Sequence, residues 1–184
     1  GVYCEIHPWD AGDDAVRARR LKSFAAYDAL ERLPMPAIAV VEGAAVGSGV
    51  EIAAACDFII ATPAASFRTP EALWGTVGAT QRLPRIIGKR LAKDLMFTGR
   101  ALGAEEAREA GLVSRVVTAE ALEATIADIT ATILKAPPAA MALAKRCVDE
   151  GLERDPRGAL ATEILAIEES LAAAEWRKAM QGFG

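Results

Sequence analysis

The stretch from Ala37 to Cys56 constrains the fold more than any other part of this chain. Ala37-Ile38-Ala39-Val40-Val41 is a short apolar run of the kind that forms a strand buried on both faces. Glu42-Gly43-Ala44-Ala45-Val46-Gly47-Ser48-Gly49 follows, small and glycine-rich, and reads as a tight loop. From about Val50 the chain reads as a helix running into Asp57. A strand, a glycine loop and a helix in that order expose backbone N–H groups at the helix start. Glu51 lies inside this helix, among residues that are otherwise apolar or small. A carboxylate there is costly to bury unless something stabilises it. Loop donors beside a buried acid suit a site where a carbonyl is polarised and a proton is moved. The purely structural reading of Glu51 is a helix-face acid paired with a nearby arginine.

Around this stretch the chain alternates. Val16, Leu21, Phe24, Tyr27 and Leu30 recur at helical spacing within Ala11 to Leu33, and Pro34-Met35-Pro36 stops that helix. Phe58-Ile59-Ile60-Ala61 reads as a second buried strand, Ala65-Ser66-Phe67-Arg68 as a third and Leu112 to Val117 as a fourth. Gln81 to Ile87, Arg90 to Phe97 and Ala104 to Ala110 read as helices. From Thr118 onward the sequence is helical and alanine-rich, broken at Pro137-Pro138 and near Pro156. The shift near Val117 places a mixed β/α region, residues 1–117, before an all-helical region, residues 118–184.

Charge and rare residues exclude several functions. The 184 residues carry a net charge of −4, against the basic clustering that a nucleic-acid surface needs. No apolar run is long enough to span a membrane. His7 is the single histidine, which removes histidine-based zinc sites and disfavours a Ser-His-Asp triad. Cys4, Cys56 and Cys147 lie far apart, in no metal or redox spacing, as expected of reduced thiols in a cytoplasmic compartment.

An ordered series of segments then resembles one family. Pro36-Ala37-Ile38-Ala39-Val40-Val41-Glu42-Gly43-Ala44-Ala45-Val46-Gly47-Ser48-Gly49-Val50-Glu51 is followed by Ala55-Cys56-Asp57-Phe58-Ile59-Ile60-Ala61. Phe67-Arg68-Thr69-Pro70-Glu71, Thr80-Gln81-Arg82-Leu83-Pro84-Arg85-Ile86-Ile87-Gly88, Phe97-Thr98-Gly99-Arg100 and Ala104-Glu105-Glu106-Ala107-Arg108-Glu109-Ala110-Gly111-Leu112-Val113 come next. The series resembles the crotonase superfamily, the enoyl-CoA hydratase/isomerase family. The resemblance implies an α/β fold, a crotonase-like ββα spiral with a C-terminal helical trimerisation region. It further implies that this chain is the C-terminal two thirds of such a protein, with the first strands of the spiral before Gly1.

The same resemblance assigns chemistry. Family members activate acyl-CoA thioesters, and the carbonyl lies between two backbone N–H groups, here matched by Val2 and Ser48. Glu51 and Glu71 match the two catalytic glutamates of the hydratases. Glu51 takes a proton from water as oxygen adds to Cβ of the enoyl thioester, and Glu71 gives a proton to Cα. Gly47, Trp74, Gly78 and Phe183 match substrate-binding positions, Phe183 by reaching a neighbouring subunit's CoA adenine. Coenzyme A is part of the substrate, and neither a metal nor a redox cofactor is implied. The implied assembly is a homotrimer or a dimer of trimers.

Structural alternatives stand beside these roles. On its own residues Thr69-Pro70-Glu71 reads as a helix start, with threonine as N-cap, proline at the first position and an acid in the first turn; only the resemblance reverses that reading. Trp74 reads as a core aromatic, Phe183 as a helix-packing one, and Arg17-Ala18-Arg19-Arg20-Leu21-Lys22 as a solvated helix face rather than a phosphate contact. The sequence departs from the family pattern at Tyr3-Cys4, at Ser48 in place of glycine, and in Gly75-Thr76-Val77-Gly78-Ala79-Thr80, about three residues shorter than usual. The altered loop and Tyr3-Cys4 motivate the alternative of a catalytically silent acyl-CoA-binding homologue; an enoyl-CoA isomerase or a hydroxyacyl-CoA dehydratase of the same fold is the alternative within the family.

Overall fold

The computed structural model describes residues 12–173 and 176–180. Val2, Tyr3-Cys4, His7 and Phe183 lie outside the described residues. The chain divides into two compact units, one comprising residues 12–32 and Ala37–Glu123, the other Leu33–Pro36 and the residues from Ala124 onward.

The first unit opens with helix α1 (Asp13–Glu31) and then repeats a pattern of two strands and a helix. The first repeat is β1 (Ile38–Val41), β2 (Ala44–Val46) and α2 (Ser48–Ala54). The second is β3 (Phe58–Ala61), β4 (Ser66–Arg68), a 3-10 turn at Glu71–Trp74, then α3 (Arg82–Ile87) and α4 (Lys89–Thr98). Strands β5 (Leu102–Gly103) and β6 (Arg115–Val116) flank helix α5 (Ala104–Glu109). Each repeat gives one strand to each of two sheets, ordered β1-β3-β6 and β2-β4-β5. Ile38 faces Phe58 and Ala61 faces Val116 in the first, all parallel. Val46 faces Arg68 in the second, where β2 and β4 are parallel and β5 is antiparallel. Parallel neighbours need a crossover, and α2 provides the one between β1 and β3. This is the ββα spiral expected from the sequence.

Side chains lock the register. The Ala37 N–H donates to Asp57 Oδ2 at 2.6 Å, and the Asp57 N–H donates to the Ala37 carbonyl at 2.9 Å. At the other end Thr62 donates its N–H to the Val41 carbonyl and its hydroxyl to the Glu42 carbonyl. Phe67, Leu83, Leu95, Leu102 and Val113 are fully buried and join Val50, Ile59 and Ala107 in the core between the sheets and helices. Burying side chains of this size contributes roughly 1.5–3 kcal/mol each.

Strand β2 replaces part of the expected loop, because parallel pairing with β4 satisfies its backbone. Helix α2 therefore starts at Ser48, earlier than Val50. The expected strand over Leu112 to Val117 narrows to Arg115–Val116, with Leu112 and Val113 closing α5 through bonds to the Ala107 carbonyl.

The second unit is helical. Helix α6 (Ala119–Ile133) ends in it, and α7 (Pro138–Leu152), α8 (Pro156–Ala173) and α9 (Trp176–Met180) follow. The prolines that break the helical pattern also open α7 and α8, since proline at a first helical position loses no intrahelical bond. No single helix among the described residues is long and apolar enough to cross a membrane.

Candidate active site

Two neighbouring strands of the second sheet deliver the two acids. The parallel register of β2 and β4 puts Val46 beside Arg68, and the Gly47 N–H then donates to the Arg68 carbonyl at 2.9 Å. The loop after β2 thus runs alongside the segment after β4. The first starts α2 and carries Glu51; the second enters the 3-10 turn and carries Glu71. Both acids come from the C-terminal ends of parallel strands, the usual place for sites in α/β sheets.

Gly47 and Gly78 close around Glu71. A methyl group on either would lie 2.9 Å from Glu71 Oε1, and on Gly78 also 3.0 Å from Cγ. Gly47 in addition has φ +54°, which side chains rarely adopt. Ala79 follows Gly78 with φ +55°, an uncommon conformation for a residue with a Cβ, and is buried. A side chain at position 47 or 78 would thus push the Glu71 carboxyl from this place, and at position 47 it would also strain the backbone.

The two carboxyls occupy different environments. Glu51 is 7 % exposed and lies in the first turn of α2, where the helix dipole favours negative charge. Arg82 Nη1, from the first residue of α3, donates to Glu51 Oε2 at 3.3 Å. The arginine partner required by the structural reading of Glu51 is therefore present. Arg82 also donates from Nε and Nη2 to Glu31 Oε2 at 3.0 and 2.6 Å. Glu71 Oε2 is buried and has no hydrogen-bond partner among the described residues. Burial raises the Glu71 carboxyl above its ordinary value; a bond from its own backbone N–H opposes this, the Glu51 charge adds to it, and Arg20 opposes it. One acid is paired with an arginine and the other is raised above its ordinary value by burial.

Ser48 is the first residue of α2, so its N–H is one of those that no helical carbonyl can accept. It is exposed, and a non-glycine residue is accommodated because the positive φ falls on Gly47. Trp74 ends the 3-10 turn and is 68 % exposed, which removes the core-aromatic reading. Thr69 does not cap a helix: Pro70 precedes the 3-10 turn, no side chain caps it, and the buried Thr69 hydroxyl has no partner among the described residues. Arg20 on α1 donates to the Val77 carbonyl at 3.2 Å and to the Thr76 hydroxyl, while Arg17 pairs with Asp14. Sequence reasoning passed over Arg82 and Glu31 as site residues, and read Arg20 as part of a solvated helix face. Arg82 was within reach, because a buried Glu51 demands a cation and Arg82 stands beside the core residue Leu83. Among the described residues no group of three or more His, Cys, Asp or Glu is placed to hold a metal ion.

The family model for enoyl-CoA hydratase/isomerase matches residues 12–184. The short-chain-enoyl-CoA hydratase of Clostridium acetobutylicum is 40 % identical over 157 residues, covering 84 % of this chain and 60 % of that protein. The crotonyl-CoA hydratase of Syntrophomonas wolfei is 37 % identical over 165 residues, covering 88 % of this chain and 62 % of that protein. The crystal structure of an enoyl-CoA hydratase from Bacillus anthracis superposes with a TM-score of 0.91 at 35 % identity, over 95 % of this chain and 69 % of that one. The chain thus spans about three fifths of the length of these two curated relatives.

Proposed function

We propose, for a chain that belongs to the enoyl-CoA hydratase/isomerase family, that the complete protein adds water across the 2,3 double bond of an enoyl-CoA thioester. The observation that carries this reading is the pair of unlike carboxyls, Glu51 beside Arg82 and Glu71 held toward its protonated form. An acid paired with an arginine and a second acid raised by burial suit a base and an acid acting on one water. Glu51 takes a proton as the water oxygen bonds to Cβ. The thioester carbonyl accepts the displaced electron pair, stabilised by the N–H groups of Ser48 and Val2. Glu71 then gives its proton to Cα, and the pair resets by exchanging a proton with solvent. Gly47 and Gly78 hold Glu71 in place, and Trp74 and Phe183 contact the substrate. Coenzyme A is the substrate's handle, and the reaction needs no metal or redox cofactor. A homotrimer or a pair of trimers in a cytoplasmic compartment, with residues 118–184 forming the trimerising region, belongs to the same reading.

The test is the absorbance of the conjugated thioester when the complete protein meets crotonyl-CoA. Loss of absorbance with the unaltered protein is expected, with a fall of about 10²- to 10⁴-fold in Glu51→Gln, as for removal of a general base. A Glu51→Gln protein that hydrates at the unaltered rate removes Glu51 from the mechanism.

A further inference from the structure

Glu31 is an acid in an unfavourable place. It is the last residue of α1, where the helix dipole disfavours a carboxylate, and no basic residue shares that turn. Yet it takes the two closer contacts of Arg82, from Nε and Nη2, both onto Oε2. The buried Glu51 receives only Nη1, at 3.3 Å. Arg82 is largely buried, whereas the Glu31 side chain is 45 % exposed. A guanidinium between two carboxylates would ordinarily turn its paired donors toward the more buried anion, where the attraction is stronger. Here the fork is turned away from it.

We infer that Glu31 is a positioning residue for Glu51, anchoring the Arg82 guanidinium so that Glu51 is stabilised through one long hydrogen bond on one oxygen. This rests on the reading of Glu51 as the base. A base clamped through both oxygens would be weak and poorly placed to accept a proton, whereas a base with no cation nearby would be costly to keep charged at 7 % exposure. Glu31 sets the balance between the two.

The surroundings make the consequence readable. Strands β1, β2 and β3, packed around α2, carry no titratable side chain, and Glu51 is the one acid within α2. From α3 comes Arg82, while Arg85 donates to Gln81. From α1 comes Glu31, while Asp28 pairs with Arg32 and Arg20 turns to Thr76 and Val77. The 3-10 turn contributes Glu71. Neutralising Glu31 removes a negative charge and releases the fork toward Glu51, and both changes favour the carboxylate. Removing the Arg82 charge does the opposite.

The experiment is kcat/KM against pH for crotonyl-CoA hydration by the complete protein and its variants. Glu31→Gln should move the acidic limb to lower pH by about one unit, the size expected when a carboxylate gains an arginine partner. Its kcat near neutral pH should fall by about tenfold while KM holds, as for a weakened base. Glu31→Ala should displace the limb in the same direction, Arg82→Gln should displace it upward, and Glu31→Asp should restore most of the rate. A role confined to holding α1 would lower melting temperature without opposite displacements. If the unaltered protein hydrates but the acidic limbs of Glu31→Gln and Glu31→Ala coincide with its own or move with Arg82→Gln, the inference is overturned. If the unaltered protein does not hydrate, the underlying reading fails instead.

Discussion

The Glu71 carboxyl is the least comfortable group among the described residues of the site. Burial holds it above the ordinary glutamate value of 4.5, and its Oε2 has no donor. Its contribution to stability is therefore fully present below that ordinary value and is lost as pH rises through the elevated one. At neutral pH the folded protein carries a penalty that the unfolded chain does not. Glu71→Gln is neutral throughout, so thermal melts should show it more stable than the unaltered protein at pH 7, the gap closing as pH falls below the ordinary carboxyl range. A variant that melts lower at pH 7 would contradict this account. Such a trade of stability for a strained acid is common at functional sites. At this scale the sequence was partly legible. Glu51 stood out because its neighbours are apolar, and its need for a cation was foreseeable. That the cation is Arg82, shared with Glu31, depends on contacts between residues 51 positions apart along the chain, which no local pattern encodes. Glu71 was ambiguous, since an acid after Thr-Pro is also good helix-start chemistry; it does open the 3-10 turn as an acid in its first turn, although Thr69 is not the cap.

Among elements, α2 contributes most to the proposed site for its length. Its seven residues supply an acid, an exposed N–H at Ser48 and a buried apolar face through Val50 and Ala53. Proline at Ser48 tests the N–H alone, because a first helical position tolerates proline and the residue lost is a donor without an intrahelical acceptor. In the complete protein Ser48→Pro should keep its circular dichroism yet lose about 10²-fold or more in kcat, as for removal of one oxyanion donor. Ser48→Ala should be nearly unaffected. Equal activity in the two would place the oxyanion donor elsewhere. Helices and the longer apolar strands were readable because their period and length are local properties. Strand β2 was not, since Ala44-Ala45-Val46 has too few residues and too little bulk to signal a strand. It exists because β4 offers a parallel partner, as Ala45 facing Phe67 shows.

For the whole molecule, helix α8 raises the question of assembly. Thr162 and Ala166 are buried on one side of it, while Leu160, Ile164, Ile167 and Leu171 form an exposed apolar stripe at helical spacing. Stripes of this kind are ordinarily covered by another helix. If residues 118–184 assemble the proposed trimer, exchanging Ile164 and Ile167 together for aspartate in the complete protein should lower the sedimenting mass to that of smaller species. An unchanged mass would remove this stripe from the interface. The composition shift near Val117 falls where β6 gives way to α6, but the apolar stripe of α8 was not singled out, because an alanine-rich helix shows similar small residues on every side. The pairing of β2 with β4 has a consequence at this scale too. Because Glu51 and Glu71 hang from adjacent strands, a slip of one residue between them would displace one acid against the other by about 3.3 Å. On the proposed reading, turnover would work as a vernier on the folded chain: preparations identical in helix content and mass would be ranked by specific activity for how many molecules closed the spiral in the correct notch.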